Sequence, residues 1–396
     1  MRILFVGPAG SIHAARWSSQ LAETGWDVHF FASIPSAIRS DFQDMTMYGA
    51  SARRPPGLDP NVRVRGFWPF RRGTWHAALP LRRFFAPALA GLIRRLRPDL
   101  VHSLGIQHGG YLTYDARTRL GGSLPPLIVS TWGSDIYYFG RLREHESRVR
   151  DVVEAADALH TDCERDMRLA REFGFSGEPF GVFPGGGGFP LDELERLRRP
   201  GAASARRLVV LKGQNDWTGR ALVGLRALGL CADALQRYRI VIPFASENVK
   251  TAADLLVRKT GLSVNVESRW ISHERMLALH GGARISIGLG ISDGASVSML
   301  EALAQGAFPI QSCTACADEW IDDGVNGSIV PPDDAEAVAR AIRRALSDDE
   351  LVDRAAERNA TVAAERLDAN VIRPRVIERY EEIAADVRAS APVLRD

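Results

Sequence analysis

At 396 residues, 25% of them charged and 45% apolar, the chain is too long for one ordinary domain and has the makeup of a globular protein with two cores. Its net charge of +2 gives no general attraction for nucleic acid, and no run approaches the ~20 apolar residues needed to cross a bilayer. Four cysteines, Cys163, Cys231, Cys313 and Cys316, make no disulfide framework and suit a reducing compartment.

The first apolar run, Arg2 to Gly7, reads as a strand rather than a signal peptide, so a cytoplasmic protein is expected. It leads into the loop Gly7-Pro8-Ala9-Gly10-Ser11 and a helical pattern whose start carries His13, Arg16 and Trp17. The full G-x-G-x-x-G of a dinucleotide site is absent. Residues 53–97 then hold eleven arginines against one acid, Asp59, a local charge of +10 that leaves −8 for the rest of the chain. Within that stretch, 81–96 spaces Phe84, Phe85, Leu89, Leu92 and Ile93 at helical intervals among Arg82, Arg83, Arg94 and Arg95. Such a helix either faces its own core or docks on an anionic membrane, where a lipid-linked acceptor would be met.

Further apolar runs follow, alternating with helical patterns. One precedes His102 and His108, another ends at Thr131-Trp132-Gly133-Ser134-Asp135, and a third covers 157–162. Alternation of this kind predicts a parallel sheet with crossover helices. Gly185 to Gly188 read as a hinge, and the Pro, Gly, Ala and Ser of 196–207 read as a linker. A second alternation begins with the strand ending at Lys212-Gly213, runs past Arg220 and past Trp270-Ile271, and reaches the strand beginning at Ile285. Cys313 and Cys316 form a C-x-x-C without a second pair, which reads as ordinary thiols.

The richest segment is Ile285 to Ser312. Here an apolar strand turns at Asp293-Gly294 into a helix started by Ser296 or Ser298. Unpaired amides at such a start suit a phosphate. Glu301 lies eight residues after Asp293, about 12 Å along a helix, so one carboxylate can reach a sugar hydroxyl and the other a ribose diol.

This segment resembles the E-x7-E signature of retaining glycosyltransferases of family 4, with Asp293 where most members have Glu. The stretch Glu319 to Ile342 is similar to that family too, and the likeness runs from Met1 to the terminal helix. It implies a GT-B fold, two Rossmann-like doubly wound α/β domains facing each other across a cleft. The expected boundaries are an acceptor domain at 1–195, the linker 196–207, a nucleotide-sugar domain at 208–370, and a C-terminal helix at 371–396 crossing back. The implied reaction is transfer of a hexose from a nucleoside diphosphate sugar to an acceptor hydroxyl with retention of configuration and without metal or cofactor. Cell-surface polysaccharide, glycolipid or a glycosylated metabolite is the product class.

On the same resemblance, Lys212 and Arg220 meet the leaving diphosphate, joined by Gly213 and by Gly294, Ala295, Ser296, Val297 and Ser298. Asp293 orients the sugar, Glu301 holds the ribose, and Trp270 and Ile271 lie near the base. In the first domain Gly10, Ser11 and His13 border the acceptor. The loop at 131–135 resembles a His-Gly-x-Asp loop in which Trp132 replaces the histidine and Asp135 holds an acceptor hydroxyl. His108 is a further cleft candidate. A GT-B-like epimerase or phosphorylase, and a sugar-nucleotide-binding protein without catalysis, are the alternatives.

Overall fold

The computed structural model describes residues 1–50, 53–66, 84–122, 124–267 and 271–390. They fall into two compact units, Met1–Gly187 together with Ile372–Asp396, and Gly188–Val371.

The first unit holds strands β1 (Arg2–Gly7), β2 (Asp27–Ala32), β3 (Thr46–Gly49), β4 (Arg63–Gly66), β5 (Leu100–Leu104), β6 (Leu127–Ser130), β7 (Ala158–Thr161) and β8 (Glu178–Val182). They make one parallel sheet in the order β4-β3-β2-β1-β5-β6-β7-β8. Side chains alternate between its faces, as the two-residue period of a strand requires. Ile3 and Phe5 pack with Trp17, Phe30 and Phe180 on one side, and Leu4 and Val6 pack with Phe31, Leu89 and Val101 on the other. Both faces are covered, which is why these strands read as continuous apolar runs.

The second unit holds β9 (Leu208–Leu211), β10 (Arg239–Ile242), β11 (Ser263–Val266), β12 (Ile285–Gly288), β13 (Phe308–Ser312) and β14 (Ser328–Val330). They too are parallel, in the order β11-β10-β9-β12-β13-β14. In each sheet the chain builds outward one way, returns to the middle and builds the other way. The reversals lie between β1 and β5 and between β9 and β12. The carboxyl ends of strands flanking a reversal diverge into loops that leave a crevice, the usual ligand position in such sheets.

Of the two readings of 81–96 the core-facing one holds, and one segment boundary is corrected. The helix Phe85–Leu96 turns Phe85, Leu89, Leu92 and Ile93 into the core and leaves only Phe84 of the set exposed, at 40%. Its apolar face is used inside the unit and is not offered to a membrane; 81–83 lie outside the described residues. No described helix is long and apolar enough to cross a membrane. The segment 196–207, read as a linker, lies inside the second unit. Arg206 is buried and donates to the carbonyls of Ala283 (3.1 Å) and Gln305 (3.0 Å), while Ser204 is held by both oxygens of Asp353 at 2.7 and 2.8 Å. Burial lowers the Arg206 pKa to about 10, which still leaves the guanidinium charged at neutral pH.

The C-terminal helix Ala369–Ser390 places Ile372, Val376, Tyr380 and Ile383 in the first unit's core. Tyr380 enters a buried polar chain whose every hydrogen can be assigned. His160 Nε2 must donate to the Phe183 carbonyl (3.1 Å), so its Nδ1 accepts from Ser130 Oγ (2.8 Å). Ser130 then accepts from His102 Nε2 (2.7 Å), and His102 Nδ1 accepts from the Tyr380 hydroxyl (2.6 Å). Tyr380 in turn accepts from Trp17 Nε1 at 2.9 Å. The chain uses neutral imidazoles only.

Burial accordingly depresses the pKa of His102 well below the usual histidine value and that of His160 to about 4; His280 in the second unit is also lowered to about 4 by burial. The unfolded chain protonates these rings near pH 6.5 and the folded chain does not, so their contribution is full above pH 6.5 and is lost as pH falls toward 4. Burial pushes Asp135 up to about 6 and Asp166 up to about 7, an effect of opposite sign that only partly offsets three histidines. The urea midpoint is expected to fall between pH 7 and pH 4.5. A midpoint that rises over that interval would show the two carboxyls to dominate.

Candidate active site

The reversal in the second unit carries the richest chemistry. Beyond the ends of β9 and β12 the two following loops are joined by backbone hydrogen bonds: Lys212 N to Ile287 O (2.9 Å), Arg220 N to Leu289 O (2.8 Å) and Ile291 N to Thr218 O (2.7 Å). Glycine is required at two places in this junction. A Cβ on Gly213 would lie 2.6 Å from the Pro243 carbonyl, and one on Gly219 would lie 2.1 Å from the Gln214 carbonyl. Asp216 folds the loop by accepting from the amides of Thr218 (2.9 Å) and Gly219 (3.1 Å). Burial opposes its ionisation, but these bonds and those from Gln214 and the Thr218 hydroxyl outweigh it and hold the carboxyl below its usual range.

Lys212, Gln214, Thr218, Gly290, Ser292 and Asp293 line a small cavity of about 30 Å³ between the loops. Lys212 and Asp293 are therefore brought together. The Lys212 ammonium makes no ion pair or hydrogen bond among the described residues. Arg220 is differently placed: its Nε meets Asp333 at 3.0 Å and its Nη1 reaches the Gly219 carbonyl at 3.0 Å. Trp217, between them in sequence, is 48% exposed.

Past Asp293, whose Oδ1 accepts from Gly294 N at 3.1 Å, Ser296 is the N-cap of the helix Val297–Ala304 and makes no side-chain cap bond. The first turn of that helix keeps the positive end of its dipole toward the same crevice. Ala295 is buried and Val297 packs against the same core, so only their backbone can serve a ligand. Ser298 Oγ lies 3.3 Å from His280 Nε2.

Glu301 is buried, and its Oε1 is 2.6 Å from His273 Nε2, with His280 Nε2 4.0 Å from the other oxygen. The reading of Glu301 as a ribose ligand overlooked His273, which stands 28 residues earlier. One signal was present: Ser272 caps the helix His273–Gly282 by accepting from Arg275 N at 3.1 Å, which puts His273 in its first turn. Ile271 packs beside Phe244 on the core of Leu208 and Val210, and Trp270 lies outside the described residues.

In the first unit the loop after β1 ends at Ser11, which caps the helix Ile12–Ser19 by accepting from Ala14 N at 3.4 Å; Gly10 is exposed. His13 and Trp132 meet, with ring centroids 5.7 Å apart, and Trp132 Nε1 is buried with no hydrogen-bond partner among the described residues. Asp135 has a different task from the one expected. It is buried and accepts from Trp132 N (2.8 Å) and Ile106 N (3.1 Å), so its carboxylate fixes the loop under Trp132 and is not presented to an acceptor. His108 is exposed on the π-helical turn Gly105–Gly110 after β5. It borders a pocket of about 740 Å³ with Tyr111, Asp115, His145 and Arg148. The Tyr111 hydroxyl meets His145 Nδ1 at 3.0 Å, and burial pushes that phenol's pKa up.

A model described as glycosyl transferase 4-like domain matches residues 10–186, and one described as glycosyl transferases group 1 matches residues 226–362. No curated protein matches the chain. Among solved structures it is similar to sucrose-phosphate synthase from Thermosynechococcus elongatus, at TM-score 0.70 and 18% identity over 97% of this chain and 99% of that one. It is also similar to Anabaena HepE in complex with UDP, at TM-score 0.69 and 14% identity over 96% and 100%. The trehalose 6-phosphate synthase from Burkholderia multivorans gives TM-score 0.70 and 15% identity over 98% and 99%. At these identities the likeness to solved structures is one of fold.

Proposed function

The chain belongs to the GT-B glycosyltransferases, which act on nucleotide sugars, and from that premise we propose that it moves a hexose from a nucleoside diphosphate sugar to the hydroxyl of a lipid-linked acceptor with retention of configuration. The carrying observation is the junction at β9 and β12. Lys212 and Asp293 line one cavity there, and three residues after Asp293 comes the helix N-cap Ser296, which makes no side-chain cap bond; this supports reading the junction as a sugar-diphosphate site. Anabaena HepE is solved with UDP and with UDP-glucose, which makes uridine the first base to test here.

In this reading the bond between sugar and diphosphate lengthens toward an oxocarbenium-like state. Lys212 and the amides from Gly294 to Ser298 stabilise the charge that builds on the leaving phosphate, with Arg220 at the edge. Asp293 orients the sugar. Glu301, held by His273, receives the ribose on its remaining oxygen. The acceptor hydroxyl enters on the leaving-group face and gives its proton to the departing phosphate. Fixed cations and a helix terminus do the work a divalent ion does elsewhere, so the reaction proceeds without metal.

Transfer from UDP-glucose, or from the donor that gives the largest thermal shift in a panel of nucleotide sugars, is expected to survive excess EDTA, and the product anomer read by NMR is expected to match the donor's. Activity abolished by chelator and restored by magnesium would overturn the metal-free reading. It would direct attention to Asp162, Cys163 and Asp166, whose ligand atoms lie within 4.8 Å of one another. An inverted product would overturn retention.

The exposed Arg53, Arg54, Arg63, Arg65, Arg94, Arg95 and Arg97 supply an attraction for an anionic membrane that is electrostatic only, because the apolar face of the neighbouring helix is buried. Peripheral association that salt releases is the corresponding behaviour.

A further inference from the structure

A second cavity in the first unit is unlike the sites above. It lies at the carboxyl ends of β2 and β3, measures about 260 Å³, and is walled by Ala32, Ile34, Ile38, Ala50 and the prolines Pro35, Pro55 and Pro56. Three prolines fix the backbone of the wall, so the cavity is shaped before anything enters. Among the described residues its polar lining is Ser36, Arg53 and backbone groups. Arg53 opens the run of eleven arginines between 53 and 97. Ser36 marks the other side: a Cβ on Gly10 would lie 3.3 Å from its side chain, and Arg39 N bonds to Ala9 O at 3.1 Å. The cavity therefore abuts the loop after β1, at the reversal of this sheet.

An apolar, preformed cavity with a guanidinium in its wall and a substrate loop beside it selects one kind of occupant. We infer that it takes the hydrocarbon chain of an anionic amphiphilic acceptor, whose charged head rests at Arg53 and whose hydroxylated end continues toward Gly10 and Ser11. This rests on the reading of the chain as a transferase to a lipid-linked acceptor, and it says how such an acceptor is gripped. The lipid chain is lifted into the protein, while the apolar face of Phe85–Leu96 is buried in the unit's own core.

The test uses the full chain and alkyl phosphates displacing the dye N-phenyl-1-naphthylamine. Affinity is expected to rise about tenfold for each two methylenes from butyl to hexyl to octyl phosphate, and to level off once the cavity is full. Decyl phosphate should outcompete decanol, and inorganic phosphate should not displace the dye. Ala37→Trp, at an exposed lining position, and Ala50→Phe should each weaken decyl phosphate at least about tenfold and leave UDP binding unchanged. Arg53→Glu should remove the advantage of decyl phosphate over decanol and leave decanol as before.

No dependence on chain length, displacement by inorganic phosphate as strong as by decyl phosphate, or wild-type binding in both filled variants would each overturn the inference. UDP binding separates the two readings. Its absence with alkyl phosphate binding intact removes the transferase reading, and the converse result removes this one.

Discussion

Lys212→Ala is expected to lower kcat by about 100- to 1000-fold with the melting temperature unchanged, the loss seen when one fixed donor to a developing anion is removed from a preorganised site. Its ammonium sits at the end of β9 beside Asp293 and is not committed to any acid among the described residues, so its charge is available to the leaving diphosphate. Arg220 supplies the comparison. Its guanidinium is shared with Asp333 and a carbonyl, and Arg220→Ala should therefore cost clearly less. Steady-state kinetics with saturating donor would measure both. Equal losses, or a loss below about tenfold for Lys212→Ala, would mean that the phosphate is met by other groups, such as the helix start at Ser296.

The largest effect on stability is expected from Tyr380→Phe. The ring still fits, but Trp17 Nε1 loses its acceptor and His102 Nδ1 loses its donor, both inside a core sealed from water. An orphaned buried polar group costs ~1 to 3 kcal/mol, so the pair should cost ~2 to 6 kcal/mol. Urea unfolding followed by tryptophan fluorescence would read it, since Trp17 is itself at the chain's end. A change under ~0.5 kcal/mol, the range of ordinary surface substitutions, would mean that the helix Ala369–Ser390 is held by Ile372, Val376 and Ile383 alone.

Much of the fold was legible because a strand covered on both faces must be apolar throughout, and such runs mark β1, β5, β6, β9, β12 and β13 plainly. Lys212 and Asp293 were legible for a related reason: Lys212 directly follows β9 and Asp293 lies in the loop after β12, and the ends of strands are where such sheets bind ligands. The partnerships were not legible. His273 and Glu301 are 28 residues apart and Arg220 and Asp333 are 113 apart, and no local spacing encodes a contact made between two separate elements. Composition also misled at Arg206. Small residues and a proline around it resemble a free tether, whereas a guanidinium with two carbonyl acceptors anchors the segment. Asp135 shows the same limit, since a carboxylate after a strand looks identical whether it faces substrate or the amides beneath it.

Among the described residues β4 is the outermost strand of the first sheet, and Arg63 and Arg65 on it are exposed. A bare parallel edge is a template on which another copy can add a strand, and natural sheets guard against this with bulky positive charge. These two arginines thus act as gatekeepers as well as contributors to a basic surface. Uncharged β-branched replacements would leave the fold intact and show their harm only in crowded solution, as self-association. Evolution can therefore keep Arg63 and Arg65 for solubility alone, whatever surface the rest of the basic run has been selected to meet.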